Sequence, residues 1–383
     1  MNPETQTPQP SLVKTVIWLV VLMLVVGVIW YGNKKNEEPS VIKIGGLLSL
    51  TGNAASFGEQ LKNGIELARE EINADKTSPF DINIVYEDDK SENVTSVSAF
   101  NKLIAVDGVS IVLGPVRSSS VLALAPIANE KKVVIVTSIA SGEDITQAGD
   151  FIFRNRERAG AHGIGMARYL REAGIQKVAV FTAKAANSKG YSASLVSEFE
   201  ALGGTIVSSA EYEEKATDFH TELLKIKKTG AEALYISATL GNDAGLIAKQ
   251  ARDIGYAGLL TGSAGIESQE FLTASGKASE NVLYTSPAFD SADPKVAEYK
   301  EKYLVRYGSE ANAFSANAYD ALNIIAEGIR HCEGTDSLCI RDYLYGVKEY
   351  PGIGGVTTFD ENGDVVKTVT VKTIKDGKFV DLK

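Results

Sequence analysis

The chain has 383 residues, 44% hydrophobic and 23% charged, which is ordinary folded-protein composition with material for two sizeable cores. A formal net charge of -10 argues against nucleic acid as a partner, because phosphate recognition needs a concentrated basic face and no Lys/Arg cluster occurs. In chain order, residues 1–15 form a polar, proline-containing leader, and residues 16–31 then run without charge between Lys14 and Lys34, flanked by Trp18, Trp30 and Tyr31. At about 1.5 Å per residue this run approaches the ~30 Å bilayer core, so a transmembrane anchor over 16–31 is expected. A signal peptide is the competing reading, opposed by the lack of a small-residue cleavage site or a lipid-accepting cysteine after the run.

Residues 32–40 read as a polar linker, after which short apolar runs alternate with helix-period segments, the signature of α/β architecture. Strands are expected at 41–47, 82–86, 110–114, 133–137 and 151–154. The alternation then restarts at 177–181, 205–209, 233–237, 259–262 and 282–285. In the first long helical segment Leu61, Ile65, Ala68 and Ile72 share one face. Further helices are expected near 189–202, 217–229, 242–255, 294–308 and 311–330, and a β-hairpin turned at Asn362-Gly363. This order specifies two doubly wound lobes. In such sheets ligands collect beyond the strands' carboxyl ends, which selects the loops at 48–57, 115–120, 138–144 and 182–190.

Signs of catalysis are sparse. His162, His220 and His331 have no partner spacing, the run Ser118-Ser-Ser120 lacks a nucleophile-elbow pattern, and no phosphate-binding or dinucleotide glycine motif occurs. The run Glu87-Asp-Asp89 reads as a solvated loop. No enzyme activity, cofactor or metal is expected. Cys332 and Cys339 bracket a polar turn and suggest a disulfide loop in an oxidising compartment; a metal site with His331 is the rival, lacking a fourth ligand.

Across 41–383 a series of motifs occurs in order: Ile42-Lys-Ile-Gly45, Leu50-Thr-Gly52, Phe57-Gly58, Gly64-Ile-Glu-Leu-Ala68, Glu71-Ile-Asn-Ala74, Glu87-Asp-Asp89, Gly114-Pro-x-x-Ser-Ser119, Phe153-Arg154, Thr217-Asp-Phe219, Lys249-Gln-Ala-Arg252 and Ala318-Tyr-Asp-Ala321. Through these the chain resembles the type I periplasmic solute-binding proteins of ABC importers, in the leucine/isoleucine/valine-binding branch. The resemblance implies two Rossmann-like lobes, 41–154 plus 288–354 and 156–286 plus 355–383, joined by a three-strand hinge with crossings near 154–157, 285–289 and 355–359. It implies capture of a small ligand (an amino acid, a related amide or a small carboxylate) and delivery to ABC permease subunits. The two-lobe part would be extracytoplasmic, at the cell surface or in the periplasm, and tethered to the membrane by the N-terminal helix. A sensory module signalling through a partner protein is the second reading.

The same resemblance assigns a ligand carboxylate to Ser118, the Ile139 backbone and Ser141, and an apolar contact to Phe57. Ser119 is a further candidate, and with Ser120 is also read as capping and opening the following helix. The second lobe departs from the pattern: Ala186-Asn187-Ser188, Thr239 or Leu240, and Ala264 stand where an Asp-Tyr-Gly, an aromatic and an ammonium-binding glutamate are found. Either Glu267, Asp243 or Asp290 replaces that glutamate, or the ligand is not an amino acid.

Overall fold

A computed structural model describes residues 12–33, 40–289 and 293–382. Leu12–Asn33 is one helix, α1, whose apolar side chains between Val16 and Val26 are exposed. Among the described residues no helix is long and apolar enough to cross a membrane.

The first lobe is built on a five-stranded parallel sheet with order β2-β1-β3-β4-β5. The strands are β1 Ser40–Leu48, β2 Phe80–Asp88, β3 Ile111–Leu113, β4 Val134–Thr137 and β5 Ile152–Arg154. Its interior strands are near-continuous apolar runs because helices cover both faces. Those helices are α2 Ala55–Ala74, α3 Asn93–Ala105, α4 Ser118–Lys131 and, from later in the chain, α10 Pro294–Tyr307, α11 Ala313–Cys332 and α12 Ser337–Gly346. Helix α2 turns Leu61, Ile65, Ala68 and Ile72 into a core shared with Leu322, Ile325 and Ile329 of α11. Each such side chain contributes roughly 1.5–3 kcal/mol by leaving water. Cys332 and Cys339 are disulfide-bonded at the α11–α12 turn, and no cluster of His, Cys, Asp and Glu among the described residues could hold a metal.

The second lobe carries seven strands, β14-β13-β10-β9-β8-β6-β7. Strands β6 Lys177–Ala183, β7 Thr205–Tyr212, β8 Ala233–Ser237, β9 Leu259–Gly262 and β10 Leu283–Pro287 run parallel, while β13 Val369–Lys375 lies antiparallel against β10 and continues into β14 Lys378–Asp381. Helices α5 Ala159–Glu172, α6 Ala186–Ala201, α7 His220–Lys228, α8 Gly241–Asp253 and α9 Gln269–Ser275 complete the lobe.

Two expectations need correction. Residues 355–365 stay with the first lobe. Strand β12 Gly355–Thr357 pairs with β11 Tyr350–Gly352, Phe359 packs edge-on against Phe153 at 5.4 Å, and Phe359 and Val365 are buried in the first-lobe core. The third passage between sheets therefore falls after Val365 and not at 355–359. The hairpin at Asn362-Gly363 shrinks to a single bridge, Phe359 to Val365, because Asp364 turns inward to a 2.7 Å ion pair with the fully buried Arg154. The second correction concerns Glu87-Asp-Asp89. Asp89 is wholly buried, accepting from Ser49 Oγ (2.6 Å), Ser91 N (2.8 Å) and Ser96 Oγ (3.2 Å). Asp88 accepts from Leu50 N (3.0 Å) and Thr51 Oγ1 (2.6 Å). These carboxylates clamp the loop after β1, and Asp89 can be buried there because several donors replace its water.

Candidate functional site

Both parallel sheets share one winding order, with the first strand of each lobe between its second and third. Ligand crevices form at such switch points, beyond the strands' carboxyl ends. There the two lobes meet around a cavity of about 30 Å³. From the first lobe it is lined by Ala54 and Phe57 after β1, Val116 and Arg117 after β3, Ile139 after β4, Arg156 after β5, and Phe314 at the start of α11. The second lobe adds Asn187 and Tyr191 of α6, Thr239 after β8, and Ala264 and Gly265 after β9. A volume near that of one water means the lobes are closed upon each other, and entry of a solute requires them to part. A larger groove of about 1040 Å³ lies elsewhere, between α11, α12 and β11, away from these loops.

The loops approach closely for stated reasons. At Gly114, φ is +106° and a Cβ would stand 2.0 Å from Leu47 O, so the β3–α4 turn can lie against β1 only with glycine there. At Gly58 a Cβ would meet Ser49 O at 1.9 Å, so α2 starts directly over the end of β1 and delivers Phe57 to the cavity. Phe57 and Phe314 then meet edge-to-face at 5.6 Å.

Polar contacts bridge the lobes. Arg117 Nη2 donates to Glu214 at 2.6 Å, Lys215 to Glu92 at 2.6 Å, Ser141 Oγ shares a 2.6 Å bond with Tyr191 OH, and Ser56 donates to Glu270. At the cavity wall, Arg156 donates to Ile139 O at 2.9 Å and bonds Glu157, which also meets His162. Burial would raise the Glu157 carboxyl, but Arg156 and His162 beside it reverse this and hold it at about 2. Burial also pushes His162 below its ordinary value. The Arg156 guanidinium lies over the Phe314 ring, 5.5 Å from its centre.

Of the residues singled out in the sequence, Phe57, Ile139, Asn187, Thr239 and Ala264 line this cavity. Ser118 and Ser141 sit just behind it: Ser118 Oγ accepts from Ser141 N (3.2 Å) and Gly142 N (3.0 Å). Ser119 is not brought in. It faces α3 and donates to Asn93 at 2.9 Å, while Ser120 is bound to Ser96 and Asn93. None of the three caps α4, whose N-cap is Arg117 without a side-chain bond. Glu267 also lies outside the cavity, held on the β10–β13 side by Ser286 and, at 3.5 Å, by Lys372. Asp243 is buried beneath Lys215 N (2.9 Å) and pushed up to about 6 by burial, and Asp290 lies outside the described residues. Arg117, Arg156, Tyr191 and Phe314 were missed. The available signal was charge beside apolar runs, an arginine directly before Ser118 and another two positions after the end of β5.

Two doubly wound lobes closing an enclosed site at facing switch points define a type I periplasmic binding protein. The chain belongs to that family, in its leucine/isoleucine/valine branch: the family description "Periplasmic binding protein" matches residues 41–378. It is 31% identical to "Leu/Ile/Val-binding protein homolog 3" of Brucella melitensis, over 89% of this chain and 94% of that one. Among solved structures, it is similar to the leucine-binding protein LivK of Thermotoga maritima (TM-score 0.84, 28% identity, covering 89% and 98% of the two chains). It is also similar to the branched-chain amino acid transporter substrate binding protein LivJ of Streptococcus pneumoniae in complex with isoleucine (TM-score 0.81, 27% identity, 89% and 98%).

Proposed function

We propose that this protein captures a small polar solute outside the cytoplasm by hinge closure of its two lobes and delivers it to an ABC permease. The observation that carries the reading is the enclosed interlobe cavity, lined by both lobes and spanned by the Arg117–Glu214 and Ser141–Tyr191 contacts. Hinging takes place at the chain passages around 154–157, 287–289 and 366–368, which divide the chain into lobes of 41–154 plus 288–289 and 293–365, and 156–287 plus 369–382. The chain acts as a carrier and not as a catalyst, in keeping with a family of solute-binding proteins. The relatives named for leucine and isoleucine support an amino acid, a related amide or a small carboxylate as ligand class, and transport over sensing. Phe57, Ile139, Asn187, Thr239 and Ala264 contact the solute in this reading, with Ser118 and Ser141 fixing the loop behind them. Helix α1, with its exposed apolar surface, tethers the protein to the membrane.

The test is a thermal-shift screen of a metabolite library, with hits confirmed by calorimetry. A true ligand at a hundredfold excess over Kd adds about 2.7 kcal/mol of stability. A library that produces no shift at all sinks the reading.

A further inference from the structure

We infer that the solute is a carboxylate with a small apolar body and no amino group, and that Arg117 is the residue that selects its charge. This rests on the solute-binding reading and narrows it.

Three observations carry the inference. First, the cavity wall holds two guanidinium groups, Arg117 and Arg156, and no carboxylate reaches it among the described residues. The acids that could face an ammonium are engaged elsewhere: Glu267 with Ser286 and Lys372, Asp243 with Lys215 N, Glu157 with Arg156 and His162. A desolvated ammonium here would have no counter-charge, and an uncompensated buried charge is strongly disfavoured. Secondly, Arg117 uses only Nη2 on Glu214, while its Nε and Nη1 are buried with no partner. Its side chain is 10% exposed. Buried N–H groups demand an acceptor, and a carboxylate oxygen is a strong one for a guanidinium N–H. Thirdly, Phe57, Val116, Ile139, Ala264 and Phe314 give the wall apolar surface for a hydrocarbon body, and its polar residues besides the two arginines, Asn187, Tyr191 and Thr239, carry no formal charge.

A matched set of probes decides it: 4-methylpentanoate, its uncharged amide, and L-leucine, which is the same skeleton carrying an ammonium. Titrated calorimetrically into the full chain, 4-methylpentanoate is expected to bind at least tenfold more tightly than either of the others. Arg117→Gln should remove that tenfold preference for the acid over the amide. Glu214→Gln, which breaks the same interlobe ion pair but keeps the guanidinium, should weaken acid and amide alike and so keep the tenfold preference; its loss in this variant overturns the assignment to Arg117. L-Leucine binding as tightly as the acid overturns the inference while leaving solute capture standing; so does an unchanged acid affinity in Arg117→Gln. If all three probes are silent, the library hits decide, amino acids among them counting against the inference and amine-free carboxylates for it. No hit of any kind removes the solute-binding reading itself.

Discussion

At Ser118 the hydroxyl oxygen accepts from two backbone N–H groups of the neighbouring loop, which leaves its proton available and gives a nucleophile no base. Ser118→Ala therefore strands two buried donors, and we expect it to destabilise the closed lobes by about 1–3 kcal/mol and to weaken ligand binding with it, read by chemical denaturation and calorimetry. Glu157 makes a prediction of opposite accessibility, since it acts through pH. Its folded value, about 2, lies below the ordinary 4.5, so the stability it contributes is present above about pH 4.5 and is lost as pH falls toward 2. A shift of that size corresponds to roughly 3 kcal/mol. Denaturation of Glu157→Gln and the parent chain between pH 3 and 8 should show a gap that is widest near neutrality and narrows in acid; a gap independent of pH would contradict the role of the carboxylate's charge. Asp320, pushed up to about 6 by burial, works in the other direction, costing stability as pH rises from about 4 to 6. In the sequence, Phe57 was legible from its place at the end of the loop after the first strand and from the family resemblance, and Ala264 from the resemblance alone. Glu267 was not, because the Lys372 that neutralises it arrives on an antiparallel strand more than a hundred positions away.

Among the elements, the parallel strands were the most legible, because a strand covered on both faces is a plain apolar run bounded by turns; those at 233–237 and 259–262 stand where the sequence placed them. The edge elements were not: β13 begins in half-buried residues with no alternation to announce it. Close helix packing supplies one test. Gly64 of α2 lies against α11 so tightly that a Cβ would be 2.1 Å from Ser315 O, a backbone atom that cannot swing away. Gly64→Ala gains up to about 1 kcal/mol in helix propensity but forces the helices apart, so the net result should be a loss of about 1–3 kcal/mol by urea denaturation. An unchanged or raised midpoint would contradict the packing described. The α11–α12 disulfide, with a sequence separation of 7, closes a short loop. Replacing both cysteines by serine should cost about 2.5 kcal/mol, measured the same way under non-reducing conditions.

For the whole molecule, the order of elements was enough to specify two similar lobes, since connection rules leave few topologies for alternating strands and helices. The path of the third passage was not readable, because what keeps residues 355–365 on the first lobe is tertiary: Phe359 against Phe153 and Asp364 against Arg154. The closed arrangement depends on contacts whose partners lie far apart in the chain, such as Arg117 with Glu214 and Ser56 with Glu270. Lys215 and Glu92, both about half exposed, also bridge the lobes, but a pair so exposed adds only about 0–1 kcal/mol and weakens in salt. The apolar closure is the stronger part, and Ala264 of the second lobe is buried in the same cluster as Phe57 and Phe314 of the first. That residue provides the most direct test. Ala264→Trp fills the cavity while each lobe keeps its own core, so calorimetric titration of a ligand identified by the screen should give binding to the parent chain and none to the variant, with the variant still folded by circular dichroism; undiminished binding to folded Ala264→Trp would place the solute elsewhere and contradict the account.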